Sequence, residues 1–279
     1  MLPIFIRAHT SNGNARGHRY VQFCLNQASK SNPENRIIFC TDLQVKAPRN
    51  VEVYPYDYYA SDLSREFDKV YLHLSSNPKN YESAALRTMF FSEEFLQKEK
   101  IPGCVCLDSD ILILGDLDKL HQDWFAGYDA TYMSDKFTPQ TSFFTKEFLQ
   151  YYCKFVIKFY TNPKLRNSLE TLYEKMKSNK VSGGICDTSF LKWIGHQLYE
   201  PHNFKFRDNM RIHNGQTFDH MVTHPQGGFV MENRIKKIEI KDGKAYGFLE
   251  KNKIEFLTLH FQGLFKKHIE KTYNTLNAT

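Results

Sequence analysis

Two patterns of hydrophobic and polar positions alternate along the first 110 residues. Two segments, 18–30 and 82–100, carry apolar side chains at helical spacing. Short apolar runs of the kind that form buried strands surround these segments, at 3–9, 36–42, 51–57 and 103–110. Strands that alternate with helices favour an α/β domain, with a mainly parallel, Rossmann-like sheet flanked by helices.

The second half of the chain is patterned differently. Residues 145–177 show aromatic side chains at helical spacing, which indicates a helical segment packed on a core. A glycine break and a short helix are predicted for 181–195. Near the C-terminus, Asp242 and Gly243 lie between two β-type runs, and this predicts a β-hairpin. The 279 residues suit one domain with a substantial core.

The amino-acid composition narrows the classes of protein to which the chain can belong. The net charge is +6, which suits an anionic substrate or a weak attraction to acidic lipid, but it is too diffuse for a nucleic-acid-binding patch. No apolar run approaches the 18 residues of a membrane span, and the N-terminus is not built like a secretory signal. The six cysteines lack CxxC pairs, and we expect them to be reduced core residues of a cytoplasmic protein.

The most informative motif follows the last strand of the first half. Asp108 and Asp110 are separated by one serine, so in a strand they point the same way and their charges repel. A divalent cation removes that repulsion, and Mn²⁺ or Mg²⁺ suits oxygen ligands. The alternative is that these aspartates cap a loop or helix, since D-x-D also occurs by chance. Their place at a strand end, where α/β sheets bind ligands, favours the cation.

A second motif lies about 150 residues downstream. His260 ends a β-type run, with Gly263 three residues and Lys266 six residues later. Glycine permits close approach of the backbone to a ligand, and a lysine ammonium suits a phosphate. A single histidine at a strand end is more often structural, but this spacing in a chain with D-x-D is more specific.

Together, "LDSDILILGDLDKL" and "HFQGLFK" resemble the motifs of GT-A glycosyltransferases, above all the branch that contains glycogenin and the bacterial lipopolysaccharide galactosyltransferases. The resemblance implies a GT-A fold over 1–279, with a nucleotide-binding half (1–120) and an acceptor and donor-sugar half (121–279). It implies a Mn²⁺ (or Mg²⁺) site formed by Asp108, Asp110 and His260, and contacts from Gly263 and Lys266 to the nucleotide diphosphate.

Weaker matches extend this resemblance. "ALRTMF" and "SGGICDTSF" are similar to segments that reach the donor sugar, and they imply catalytic roles for Arg87 and Asp187. The further residues expected to bind the nucleotide-sugar are His9, Thr10, Arg87, Asp108, Ser109, Gly183 and Gly184. Arg87 could instead form a surface salt bridge, and Asp187 could instead cap the following helix.

The expected activity is therefore the transfer of a sugar from a nucleotide-diphosphate donor, a UDP-sugar, to a glycan or glycolipid acceptor, with retention of configuration. Two rivals remain. One is a catalytically idle sugar-nucleotide-binding protein of the same fold. The other is a HAD-type phosphatase, although in that family D-x-D lies near the N-terminus, whereas here it lies beyond residue 100. The oligomeric state is not specified by the sequence.

The resemblance and the composition also predict the biological role and the location of the protein. The resemblance implies a role in polysaccharide biosynthesis. The cysteines and the diffuse charge predict a cytoplasmic protein without a nucleic-acid partner, which could work at the inner face of a membrane. The basic stretch at 265–271 could touch an acidic membrane face, although such a stretch is more often a solvated helix end.

Overall fold

The computed structural model describes residues 1–8, 18–55, 61–134 and 137–278. The strands in this part of the chain are β1 (Ile4–Ala8), β2 (Ile37–Thr41), β3 (Val51–Tyr54), β4 (Gly103–Asp108), β5 (Ile111–Ile113), β6 (Ala130–Tyr132), β7 (Thr141–Thr145), β8 (Phe206–Asp208), β9 (Gln216–Phe218), β10 (Met231–Glu232), β11 (Ile235–Lys236), β12 (Glu239–Lys241), β13 (Lys244–Leu249) and β14 (Asn252–His260).

The helices of the described residues are α1 (Tyr20–Ser31), α2 (Asp62–Val70), α3 (Lys79–Glu99), α4 (Leu117–Leu120), α5 (Lys146–Thr161), α6 (Pro163–Ser178), α7 (Asp187–Gly195) and α8 (Ile269–Leu276). A π-helical turn, His121–Phe125, continues α4, and 3₁₀ turns lie at Gln226–Gly228 and Gly263–His268. None of the described helices combines the length and the apolar character that a membrane crossing requires.

The predicted mainly parallel sheet is confirmed. Within the described residues, seven strands form it in the order β3-β2-β1-β4-β7-β6-β8. The first four are parallel to one another, β7 runs antiparallel to both of its neighbours, and β8 is parallel to β6. Asp108 therefore lies at the carboxyl end of a central strand, the edge at which such sheets bind ligands.

The central sheet is buried on both faces, as parallel sheets usually are. Alternate residues of β1 belong to different cores: Ile4 and Ile6 pack in the cluster that includes α1 and α8, and Phe5 packs in the cluster that includes α3 and α5. The many aromatic side chains mostly fill the second of these cores, where Phe148, Tyr152 and others are fully buried.

A second sheet joins the far end of the chain to the D-x-D segment. It has the order β12-β13-β14-β5 among the described strands, and β9 pairs with β14 on the side. The predicted hairpin is present: Lys241 pairs with Lys244, and the two-residue turn between them places Asp242 and Gly243 at φ of 52° and 71°. Both residues have positive φ, as a type I′ turn requires.

The helical segment predicted at 145–177 consists of two helices, α5 and α6. Asn162 ends α5, and its side-chain oxygen accepts hydrogen bonds from the backbone N–H groups of Lys164 and Leu165 at the start of α6. Pro163 has no N–H to continue α5 and suits the first position of a new helix. The aromatic periodicity runs along α5 only, so it does not reveal this break.

Candidate functional site

The turn between β4 and β5 brings the two halves of the site together. Asp108 is the last residue of β4, and Ile111 is the first residue of β5. β14 runs antiparallel to β5, with His260 directly opposite Ile111. The backbone N–H of Phe261 donates to the carbonyl oxygen of Asp110 at 2.9 Å. Strand pairing therefore places His260 beside the D-x-D turn.

The His260 ring faces the Asp110 carboxylate. Its Nε2 lies 3.3 Å from Asp110 Oδ1, and its Nδ1 lies 2.6 Å from the carbonyl oxygen of His220. A carbonyl oxygen only accepts, so Nδ1 carries a proton and Nε2 is the nitrogen directed at the acidic cluster. Burial opposes a charge on this ring, but the carboxylates of Asp110 and Asp108 and the His220 carbonyl together outweigh burial and raise the pKa of His260 to about 9.

Lys266 adds a second positive charge to the same carboxylate. Its Nζ lies 3.1 Å from Asp110 Oδ2 and donates to the Tyr20 hydroxyl at 3.2 Å. Burial by itself would raise the pKa of Asp110, which is 6% exposed, but His260 and Lys266 outweigh it and lower that pKa to about 2. Asp110 is therefore ionised between two cationic groups.

Arg7 links the other two carboxylates of the site. β1 and β4 are parallel neighbours, and Arg7 is the register partner of Asp108. The Arg7 Nε donates to Asp108 Oδ1 at 3.0 Å, and its Nη2 lies 3.2 Å from Asp187 Oδ2. Asp187 is the first residue of α7, and its Oδ1 accepts the backbone N–H of Thr188 at 2.8 Å.

A cavity of about 390 Å³ lies at the carboxyl edge of the central sheet, and Arg7 and Tyr20 are among the residues that line it, whereas Asp187 is not. Six residues predicted from the sequence line it: Asp108, Ser109, Asp110, His260, Gly263 and Lys266. Gly263 has a φ of +62°, and a side chain built there would meet open space. The glycine therefore serves the turn that follows His260 and leaves its backbone accessible from the cavity.

Asp108, Asp110 and His260 fit a divalent cation. One ligand atom from each of the three residues lies within 4.8 Å of the others, so a single ion can contact all three. Two carboxylates and one imidazole form a ligand set that suits Mn²⁺, and Mg²⁺ accepts the carboxylates. In this structure Arg7 and Lys266 provide positive charge beside the carboxylates.

The predicted glycines at 183 and 184 pack against protein backbone. Gly184 forms a bridge to Ser75, and a Cβ on Gly184 would lie 2.2 Å from the carbonyl oxygen of Leu74. The carbonyl oxygen of Gly183 accepts the backbone N–H of Ser76 at 2.9 Å. Neither glycine is among the residues that line the cavity. The hydrogen bond of Gly183 and the close packing of Gly184 fix the chain just before α7, and with it the position of Asp187.

Arg87 lies apart from this group. Arg87 forms an exposed ion pair with Asp68 of α2, with its Nη2 2.7 Å from Asp68 Oδ1, and it does not line the cavity. A surface salt bridge of this kind is the alternative role that the sequence analysis gives for Arg87. His9 and Thr10 lie outside the described residues.

Sequence reasoning missed Arg7 and Tyr20, which both line the cavity. Arg7 is a charged residue near the end of an otherwise apolar strand, and that pattern is a signal for a paired charge at a sheet edge. Tyr20 is the first residue of α1, and its place in the helical pattern is typical of a core aromatic residue. The sequence therefore gives no indication of its contact with Lys266.

Comparisons with known proteins give structural matches only. No family model and no curated protein sequence matches the chain. The structure is similar to mouse xyloside xylosyltransferase 1 in its apo form, with a TM-score of 0.45 and 12% identity over 74% of this chain and 84% of that one. It is also similar to galactosyltransferase LgtC in complex with donor and acceptor sugar analogues, with a TM-score of 0.47 and 11% identity over 99% and 96%. At this level of similarity, neither match specifies the activity of this chain.

The packing of Gly184 predicts a specific sensitivity. Gly184→Ala places a methyl group against the Leu74 carbonyl, and we expect it to lower the free energy of unfolding by about 1–3 kcal/mol, as overpacking does. Urea denaturation measures this change. Ser182→Ala is the control, because Ser182 is exposed and lies only two residues before Gly184. A Gly184→Ala protein as stable as the wild type would contradict the close approach of these segments.

Proposed function

We propose that the protein is a metal-dependent glycosyltransferase that moves a sugar from a nucleotide-diphosphate donor to a hydroxyl acceptor. The observation that carries this proposal is the meeting of Asp108, Asp110 and His260 at the carboxyl edge of the sheet, in the cavity that also exposes Gly263 and Lys266. Two separate sequence motifs thus line one cavity. Their combination suits a divalent cation and a diphosphate together.

The metal site of this proposal consists of Asp108, Asp110 and His260, with Mn²⁺ or Mg²⁺ as the ion. When bound, the ion supplies a Lewis acid that neutralises the charge developing on the departing diphosphate. Lys266 provides a second positive group at the cavity wall, where Tyr20 and Asp110 hold its ammonium. Gly263 lets the backbone approach the phosphates, since no side chain stands between it and the cavity.

The donor sugar is proposed to lie on the Arg7 side of the cavity, where Arg7 is paired with Asp187. Asp187 orients the sugar hydroxyls, and Arg7 holds its carboxylate next to Asp108. Gly183 and Gly184 act indirectly, through the position of α7. Arg87 lies one helical turn beyond Ala84, which lines the cavity, so a contact with the donor requires its side chain to leave Asp68. UDP is the proposed nucleotide, and His9 and Thr10 are its proposed further contacts.

The acceptor is proposed to be a glycan or glycolipid, as in polysaccharide biosynthesis. The net charge of +6 is compatible with an anionic donor and with a cytoplasmic protein that touches an acidic membrane face. The basic 3₁₀ turn at Gly263–His268 lies next to the cavity through Gly263 and Lys266, and it is the proposed point of such contact.

Transfer is proposed to retain the anomeric configuration. Asp187 is buried and already engaged by Arg7 and by the N–H of Thr188, so it is poorly placed to take a proton from an acceptor. The acceptor oxygen then forms its bond to the anomeric carbon on the face from which the diphosphate departs. The bond from that carbon to the diphosphate breaks, and a diphosphate oxygen takes the proton of the acceptor hydroxyl.

The metal assignment predicts the behaviour of Asp110→Asn. This change removes one ligand charge, so we expect it to abolish the Mn²⁺-dependent binding of UDP while the protein stays folded. A thermal-shift titration with UDP, with and without Mn²⁺, measures the effect, because a ligand of the native state stabilises it. Asp123→Asn, a change at an exposed carboxylate, is the matched control. Undiminished Mn²⁺-dependent binding in Asp110→Asn would refute the assignment.

The stereochemical proposal predicts an α-linked first product from an α-linked UDP-sugar donor. Proton NMR of the product, recorded before any mutarotation, gives the anomeric coupling directly. A β-linked product would contradict retention and make Asp187 the first residue to test as a base.

If UDP-sugars bind in the presence of Mn²⁺ but are neither transferred nor hydrolysed, the protein is a binding protein of the same fold.

A further inference from the structure

A fully buried ion pair lies directly behind His260. Lys236 of β11 donates to the Asp219 carboxylate, and the side chains of both residues are 0% exposed. Asp219 directly follows β9, and neither residue lines the cavity. Two charges taken out of water cost several kcal/mol per ion unless further hydrogen bonds satisfy them.

Further hydrogen bonds do satisfy the ammonium group. Besides Asp219, Lys236 Nζ donates to the carbonyl oxygen of Met221 at 2.8 Å and to Gln226 Oε1 at 3.0 Å. Gln226 Oε1 also accepts the backbone N–H of His220 at 2.9 Å, and Gln226 Nε2 donates to the carbonyl oxygen of Phe218 at 2.8 Å. The three side chains thus hold the backbone of residues 218–221 at several points.

This backbone segment in turn holds the metal-ligand candidate His260. Asp219 Oδ2 accepts the backbone N–H of His260 at 2.9 Å, so one carboxylate contacts both Lys236 and His260. The carbonyl oxygen of His220 accepts the Nδ1 proton of His260 at 2.6 Å. That bond fixes the tautomer, and it leaves Nε2 facing Asp110.

We propose that Asp219, Lys236 and Gln226 are positioning residues that set the tautomer and ring orientation of His260 for metal binding. This inference rests on the proposed function, because it concerns the same metal site. A buried ion pair is seldom more stabilising than apolar residues of similar volume, so stability is a weak reason for Asp219 and Lys236. Groups that orient a metal-binding histidine typically change metal affinity by about 10- to 100-fold.

Mn²⁺ alone, titrated into the purified full-length chain, tests this proposal. Electron paramagnetic resonance of the free ion gives the affinity without any need for activity. The first variant combines Asp219→Asn with Lys236→Met, so that no unpaired charge is left buried. The second, Gln226→Met, removes the acceptor of the His220 N–H and keeps the ion pair. It carries the test if the first variant does not fold.

The control is Asn35→Ala. Asn35 is buried, and its Nδ2 donates to the carbonyl oxygen of Leu2 at 2.9 Å, at the edge of the sheet opposite to the cavity. Its loss also removes a buried hydrogen bond, so it reports the effect of destabilisation alone. We expect about 10- to 100-fold weaker Mn²⁺ binding in the Asp219/Lys236 variant, a smaller loss in Gln226→Met, and wild-type affinity in Asn35→Ala.

Repeating the changes in His260→Ala separates positioning from a general structural effect. Because the three residues act through the His260 ring, their substitution should weaken Mn²⁺ binding no further once that ring is gone. Unchanged affinity in both folded variants, or an equal further loss in His260→Ala, would overturn the proposal. Wild-type protein that binds no Mn²⁺ would overturn the metal site itself, together with the role proposed for these residues.

Discussion

The antiparallel pairing of β5 with β14 is the constraint on which the candidate site depends. It sets His260 opposite Ile111, one residue after Asp110, although about 150 residues separate the two motifs along the chain. The short turn from β4 to β5 then keeps Asp108 close to the same point. A shift of one residue in this register would turn the His260 side chain to the other face of its sheet and separate it from Asp108 and Asp110.

Charge explains why such a cluster is tolerated. Asp108, Asp110 and Asp187 lie close together at one sheet edge, and unpaired they would destabilise the fold. Arg7 neutralises Asp108 and Asp187, while His260 and Lys266 neutralise Asp110. Asp108 and Asp110 are thereby held close together, as a cation site requires, without the cost of an unpaired buried charge. The same arrangement that stabilises the protein therefore suits a metal ion and an anionic ligand.

The sequence predicted the parts of this site that motifs encode. Asp108, Asp110, His260, Gly263 and Lys266 were identified from spacing and resemblance, and all five line one cavity. The alternation of strands and helices likewise predicted the mainly parallel sheet. Arg7 was not identified, because its role depends on its register with β4, and register across 101 positions is not visible in a local pattern. The same holds for Asp219 and Lys236, whose pairing arises only when β9 and β11 pack behind β14.

The predicted glycines show the opposite difficulty. Gly183 and Gly184 suggested a backbone open to a sugar, whereas Gly184 is required by its contact with Leu74 and Ser75. A glycine needed for close packing and one needed for ligand approach look the same in a sequence. Arg87 poses a similar problem, because helix position alone does not distinguish a donor contact from the ion pair with Asp68.

A crystal structure of the protein grown with Mn²⁺ and UDP, with anomalous diffraction recorded at the manganese edge, tests the central claim most directly. The predicted result is one anomalous peak in the cavity, within bonding distance of Asp108, Asp110 and His260 Nε2, with the diphosphate of UDP beside Lys266. A manganese peak bound by other residues, or UDP bound outside this cavity, would contradict the claim.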